Sequence, residues 1–242
     1  MLKSKDCDNG DEYLSFLADD REFILNNKNK LICPECSGKV IFVDANYKIK
    51  HFRHLIEADC HPEPETIEHI KMKIFIAEQL KLDKKSIEVN LIFAKPDVFM
   101  EKGKIAIEVQ HSNITEEIFL ERNKNYTLNG IYPLWIFHED LLKEDEYQES
   151  RISALLKKAH EMYFGRVYVY KKEGYIVPVH FKATGTYVEP NDFSEHGGYW
   201  KWYKKQRKLQ YGTPLYSLSI LKIFNDRLML NVARFYDKQF WK

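Results

Sequence analysis

"IAIEVQHSN", residues 105–113, is the stretch whose reading decides the fold. In an extended chain successive side chains alternate sides, so Ile105, Ile107 and Val109 share one face while Ala106, Glu108 and Gln110 share the other. A carboxylate buried without a partner is strongly unfavourable. Glu108 on so apolar a strand therefore means either that one face is wet or that the strand carries a cation site.

The flanking residues favour the second reading. "KPDVFM" at 95–100 and the turn "EKGK" at 101–104 make a hairpin with the 105–110 strand, which brings Asp97 beside Glu108. Two carboxylates so close repel each other unless a cation lies between them. Mg²⁺, or Mn²⁺ in its place, suits such hard oxygen ligands. From Thr66 to about Leu82, Ile67, Ile70, Ile74 and Ala77 recur at helical spacing. His69 and Lys73 fall four apart at the border of that stripe, with Glu65 and Glu68 further out. His69 and Glu65 are candidates for the metal's surroundings, and Lys73 for a positive charge there; the alternative for each is a solvated helix face.

After the central strand, "ITEEIFLERNKNYTLNG" has helical spacing and a helix-ending Asn-Gly. Arg122 and Tyr126 lie one turn apart on it, suited to a phosphate and to stacking on a base, and Ser112 can reach a phosphate. "IYPLWIF" (131–137) reads as a strand and 138–164 as a further helix or helix pair. With a strand expected over 87–93, the order across 65–137 is helix, three strands, helix, strand: a mixed α/β core.

The first 30 residues read as short strands or a hairpin, and "KVIFVDANYKIKHF" as two strands. Four cysteines in so long a chain make no disulfide framework. "CPEC" at 33–36 and "HFRH" at 51–54 supply two thiolates and two imidazoles, the four ligands of a structural Zn²⁺: Cys33, Cys36, His51 and His54, with Cys60 as an alternative ligand. A redox pair with unrelated surface histidines is the competing reading.

The 242 residues are 44% hydrophobic and 30% charged, a globular composition with net charge +1. No apolar run approaches a membrane span and no secretory signal is evident, so a cytoplasmic location without membrane association is expected. Charge is uneven: residues 166–242 hold 14 Lys and Arg against 6 Asp and Glu, an asymmetry that points to a polyanion. Within them "YWKWYKKQRKLQY" (199–211) interleaves aromatics with cations, so Lys204, Lys205 and Arg207 are candidates for nucleic-acid contact; an amphipathic helix is the alternative.

Pro96-Asp97 followed by Glu108-Val109-Gln110 resembles the signature of the PD-(D/E)xK nuclease superfamily, with glutamine where that pattern has lysine. Over roughly residues 30–140, "CPEC", "HFRH", "ETIEHIKMK", "KPDV", "IAIEVQHS", "ERNKNY" and "LWIF" come in the order of the competence-protein CoiA family, whose acid-x-Gln form matches Glu108 and Gln110. The resemblance implies a restriction-endonuclease-like α/β core (63–164) behind a small zinc-finger-like module (1–62), followed here by a strand-rich basic extension (165–242). It implies a metal-dependent DNA nuclease in competence, DNA processing or defence, with Asp97, Glu108, Gln110, His69 and Lys73 at the catalytic site. DNA, including single-stranded or branched forms, and proteins of a DNA-processing or defence complex are the expected partners. The rival expectation is an inert nucleic-acid-binding or adaptor protein with a degenerate nuclease site.

Overall fold

The strand formed by residues 105–110 is buried along its whole length, so neither of its faces is wet. The structure is a computed structural model, described over residues 1–44, 49–56, 65–190 and 197–214. The elements in order are β1 (Lys3–Asp6), β2 (Glu12–Leu14), α1 (Ala18–Asn26), β3 (Leu31–Ile32), β4 (Val40–Val43), β5 (His51–His54), α2 (Ile67–Leu80), β6 (Val98–Met100), β7 (Ile105–Gln110), α3 (Glu116–Leu128), β8 (Tyr132–His138), β9 (Glu149–Arg151), α4 (Ala154–Met162), β10 (Val167–Lys171), β11 (Tyr175–Val188) and β12 (Tyr199–Tyr211). Strands β2-β1-β3 form one sheet and β4-β5 another; the largest is a seven-stranded mixed sheet in the order β6-β7-β8-β10-β11-β12-β9. The mixed α/β core expected from the sequence is present.

The described residues divide into two compact units: 1–111 with 122–134, and 112–121 with 135–214. In the first, β6 and β7 pair antiparallel with Val98 opposite Ile107, a register that continues to place Asp97 opposite Glu108. Gly103 and Lys104, both at positive φ, close the hairpin. Thr66 caps α2 by accepting a hydrogen bond from the His69 amide at 3.1 Å, which fixes the helix start and its rotation. Ile70 and Ala77 of α2 pack with Leu2, Leu14 and Ile87. His69 and Lys73, four apart, thereby share one face of the helix, and Glu65, just ahead of the cap, turns in to both.

In the second unit β8 and β10 are parallel, joined through α4, while β10, β11, β12 and β9 follow antiparallel. Ser153 caps α4, accepting from the Leu156 amide at 3.2 Å. Trp135 is fully buried against Phe119, ring centroids 4.9 Å apart.

The structure corrects several local expectations. Residues 18–26 form a helix, although their polar pattern gives no amphipathic signal. Where a strand was expected over 87–93 there is only an isolated bridge from Ile87 to Val98, because the chain turns at 91–94 with Ile92 at positive φ. Residues 138–164 hold a short strand and one helix, not a helix pair; Asp145 binds the amides of Tyr147 and Glu149 and so favours a turn. Residues 199–211 are a strand, not an amphipathic helix. Among the described residues no helix is long and apolar enough to cross a membrane.

Burial predicts the ranking of two isoleucine substitutions. Ile107→Ala, in the middle of β7, should destabilise the protein by about 2–5 kcal/mol in chemical denaturation. Ile92→Ala, at a fully exposed position, should change it by less than about 0.5 kcal/mol.

Candidate active site

A buried amine lies where α2 meets the hairpin. Lys73 is 1% exposed and its Nζ is bonded to Glu65 Oε1 and Glu88 Oε1, with Asp97 Oδ1 at 3.6 Å. Burial alone would strip its proton; Glu88, Glu65 and Asp97 reverse that and hold it above the ordinary lysine range. Glu88 also accepts hydrogen bonds from the amides of Leu2, at 3.0 and 3.1 Å to its two oxygens, and of Lys3, at 3.2 Å.

His69, one turn back, faces the hairpin. Its Nε2 lies 2.9 Å from the Val109 carbonyl, to which it donates, and 3.4 Å from Asp97 Oδ2; its Nδ1 is 3.5 Å from Glu65 Oε1. Burial opposes a charged imidazole, but Asp97 and then Glu65 outweigh it and raise the pKa to about 10. Asp97 Oδ2 also accepts from the Val109 amide at 2.9 Å. Although burial pushes the Asp97 carboxyl up, His69, Lys73 and that amide draw it below its usual range.

Glu108 behaves oppositely. It is 4% exposed, accepts a hydrogen bond from Tyr126 Oη, and has Arg122 Nη1 at 3.8 Å from Oε2. Burial first and the neighbouring charge of Asp97 second push its pKa up to about 7, further than Arg122, Tyr126 and His69 pull it down. Two carboxylates on facing strands thus raise one another's cost of ionisation, the situation a bound cation relieves. Glu65, His69 and Asp97 present ligand atoms all within 4.8 Å of one another. This donor set, two carboxylates with one imidazole, suits a divalent ion with a preference for oxygen; Glu108 is not one of the three but lies opposite Asp97 on the facing strand. Gln110, buried, shares the Glu108 side of β7 by strand alternation.

These residues belong to a segment with known counterparts. Residues 65–176 match the sequence model of the family described as competence protein CoiA, nuclease-like domain. The segment is CoiA-like. Competence protein CoiA of Bacillus subtilis (strain 168) is 28% identical over 124 residues, which cover 48% of this chain and 33% of that protein. The chain therefore spans about a third of the length of the curated relative it matches. No solved structure matches the chain. The match begins at Glu65, so the matched segment takes in the α2 face as well as the hairpin.

Of the residues singled out from sequence, Glu65, His69, Lys73 and Asp97 are drawn together in one network and Glu108 stands beside it, bonded to Tyr126 and feeling the charge of Asp97, while Glu68 points away and pairs with Lys71 at 2.7 Å. Tyr126, expected to stack on a base, is 1% exposed and packs with Ala106 and Ile131, so its role is to hold Glu108. Arg122 is exposed beside Glu108, and Ser112 is exposed in the other compact unit. Glu88 had no sequence signal: it lies in "SIEVN", outside any motif, and only its contact with Lys73 reveals it.

The N-terminal knuckle also takes shape. Cys33, Cys36 and His54 offer ligand atoms within 4.8 Å of one another, with Cys36 Sγ 3.4 Å from His54 Nε2. Cys33 Sγ accepts from the Glu35 amide at 3.4 Å and Cys36 Sγ from the Gly38 amide at 3.3 Å. A Cβ at Gly38 would stand 3.1 Å from Cys36 Sγ, so a larger residue there would press on the thiol. His51 is not in this set. Three residues from His54 on the same strand, it projects from the opposite side, and its Nδ1 lies 2.7 Å from the Ile49 carbonyl. Cys60, the alternative ligand, lies outside the described residues. Lys205 is exposed on β12, Arg207 Nη1 donates to the carbonyls of Tyr203 (2.6 Å) and Gln206 (2.7 Å), and the Lys204 side chain lies outside what is described.

The electrostatics of the site set two expected outcomes. In metal-free protein Glu108 holds its proton more tightly folded than unfolded, so its contribution to stability is present below about pH 4.5 and is lost as pH rises through about 7. Glu108→Gln should therefore melt higher than wild type at pH 8 in chelator, the two curves converging near pH 4.5. Lys73→Met, which leaves Glu65 and Glu88 buried without their cation, should cost about 3–5 kcal/mol by chemical denaturation, with Glu88→Gln in that background recovering part.

Proposed function

We propose that the chain is a divalent-metal-dependent nuclease that hydrolyses phosphodiester bonds of DNA in competence or a related DNA-processing or defence task. The observation that carries this reading is the facing pair Asp97 and Glu108, one carboxylate held ionised and the other driven up by burial and then by the charge of the first, with His69 and Glu65 beside Asp97. Asp97 and Glu108 would hold Mg²⁺ or Mn²⁺, His69 and Glu65 completing its surroundings directly or through water. When bound, such an ion lowers the pKa of a water and offsets charge on the phosphate under attack. Gln110, on the same side of β7, orients the water through its amide, which can both donate and accept. Lys73 keeps Asp97 and Glu65 ionised, supplying from the helix the positive charge absent at position 110. Arg122, exposed beside Glu108, meets the phosphate. For His69 to serve as a ligand it must release the proton that Asp97 now stabilises, so ion binding and proton release go together.

A structural Zn²⁺ belongs to the same proposal, held by Cys33, Cys36 and His54. It would fix the β4-β5 hairpin, whose own core is small.

One observation favours the rival reading of an inert nucleic-acid-binding protein: Lys73 and His69 already engage the carboxylates that an ion would need. Cleavage of plasmid or oligonucleotide DNA with Mg²⁺ separates the two. Wild type should cut, and Asp97→Asn and Glu108→Gln should each lower the rate by about 100-fold or more. Cleavage that survives both changes overturns the site, and no cleavage by wild type with Mg²⁺ or Mn²⁺ leaves the inert reading. Metal analysis of purified protein should find about one zinc per chain, lost in Cys36→Ser.

A further inference from the structure

The far end of the β11-β12 ribbon carries a surface that the nuclease reading does not use. Beyond a register shift between Ala183 and Gly185, Tyr187 pairs with Trp200 and Gly185 with Trp202. Strand alternation puts Trp200 and Trp202 on one side, and cross-strand pairing puts Tyr187 there too. The two indoles are near parallel, centroids 5.6 Å apart and planes 21° apart, and Tyr187 lies 5.7 Å from Trp200. At Gly185 a Cβ would stand 2.8 Å from the Lys201 carbonyl and 2.9 Å from Trp202 Cε3, so the Trp202 ring lies over bare backbone. That packing accounts for part of each ring only. Trp200 remains 57% and Trp202 61% exposed.

Such aromatic area facing water marks a binding surface, and its charge says for what. Residues 199–211 contain five Lys and Arg and no carboxylate. Lys201 and Lys205 are exposed. Among the described strands β9 covers β12 only at Gln206–Lys208, so the edge near Lys201 is open and its long side chain can reach round the ribbon. A membrane surface would call for aliphatic anchors as well, yet the large exposed side chains described on β12 are all Tyr or Trp. A duplex would offer phosphates and nothing for the rings to stack on. Single strands offer both.

We propose that this ribbon is a platform for single-stranded DNA, with bases stacked on Tyr187, Trp200 and Trp202 and phosphates met by Lys201 and Lys205. The choice of DNA rests on the function proposed above; the stacking itself needs no metal.

The test is fluorescence anisotropy of a labelled oligothymidylate of about 15 nucleotides titrated with the full chain in chelator, where cleavage is off and binding alone is read. Wild type should bind saturably, more tightly than it binds duplex DNA of the same length or anionic vesicles. Trp200→Leu with Trp202→Leu, which keeps apolar bulk, should weaken binding by roughly 5- to 150-fold per ring lost, and Trp200→Phe with Trp202→Phe should restore most of it. Lys201→Ala should lower the logarithmic salt slope by about 0.7. Leucine variants that bind like wild type while keeping its circular dichroism and melting temperature overturn the proposal, as does preference for duplex, vesicles or the ribo-oligomer. Because binding is read without metal, loss of cleavage with intact binding counts against the nuclease site alone, and the reverse against the ribbon alone.

Discussion

The first unit is organised around one buried cation. Lys73 has no route to water, so its charge is tolerable only because Glu65, Glu88 and Asp97 converge on it from three separate chain segments. Each of those acids is in turn committed elsewhere. Glu88 ties down the backbone of β1, and Asp97 receives the Val109 amide of the neighbouring strand. Helix, hairpin and N-terminal strand are thus joined through charge-assisted contacts as well as apolar packing, and a shift in any one exposes an uncompensated charge in the interior.

That arrangement divides two chemically similar carboxylates into different roles. Asp97 sits among donors and stays ionised; Glu108, opposite it on β7, has one phenol and a distant guanidinium and titrates near neutrality. The asymmetry comes from their neighbours: His69, Lys73 and the Val109 amide surround Asp97, while Arg122 and Tyr126 do not offset the burial of Glu108 and the charge of Asp97. The positive charge on His69 and Lys73 offsets these carboxylates, which explains how so many acids coexist in one largely buried cluster. The proposed ion would displace the His69 proton while Lys73 remains, since the latter is also bound to Glu88, away from the facing pair.

Much of this was legible in the sequence because the relevant signals are local and periodic. Alternation in residues 105–110 marked Glu108 as anomalous, the hairpin spacing put Asp97 opposite, and four-residue spacing paired His69 with Lys73, whereas Glu65, read as lying further outward, turns in to Lys73. What escaped depended on long-range contact. Glu88 has no motif and acquires meaning only from Lys73, fifteen residues away. Tyr126 was placed on the correct helix, but its face could not be assigned, since the weakly amphipathic α3 leaves open which residues turn inward. "HFRH" has the spacing of a knuckle yet forms a strand, where a three-residue step reverses the side, so only His54 joins the cysteines. The strand 199–211 was ambiguous because its aromatics and cations satisfy either period.

The central claim is that Asp97 and Glu108 jointly hold a divalent ion. The most direct measurement is an anomalous-scattering map from crystals grown with Mn²⁺. The expected result is a peak within coordination distance of both carboxylates, with Lys73 still bound to Glu88. A map at saturating Mn²⁺ with no peak there, and with Glu108 still bonded only to Tyr126 and Arg122, would contradict it.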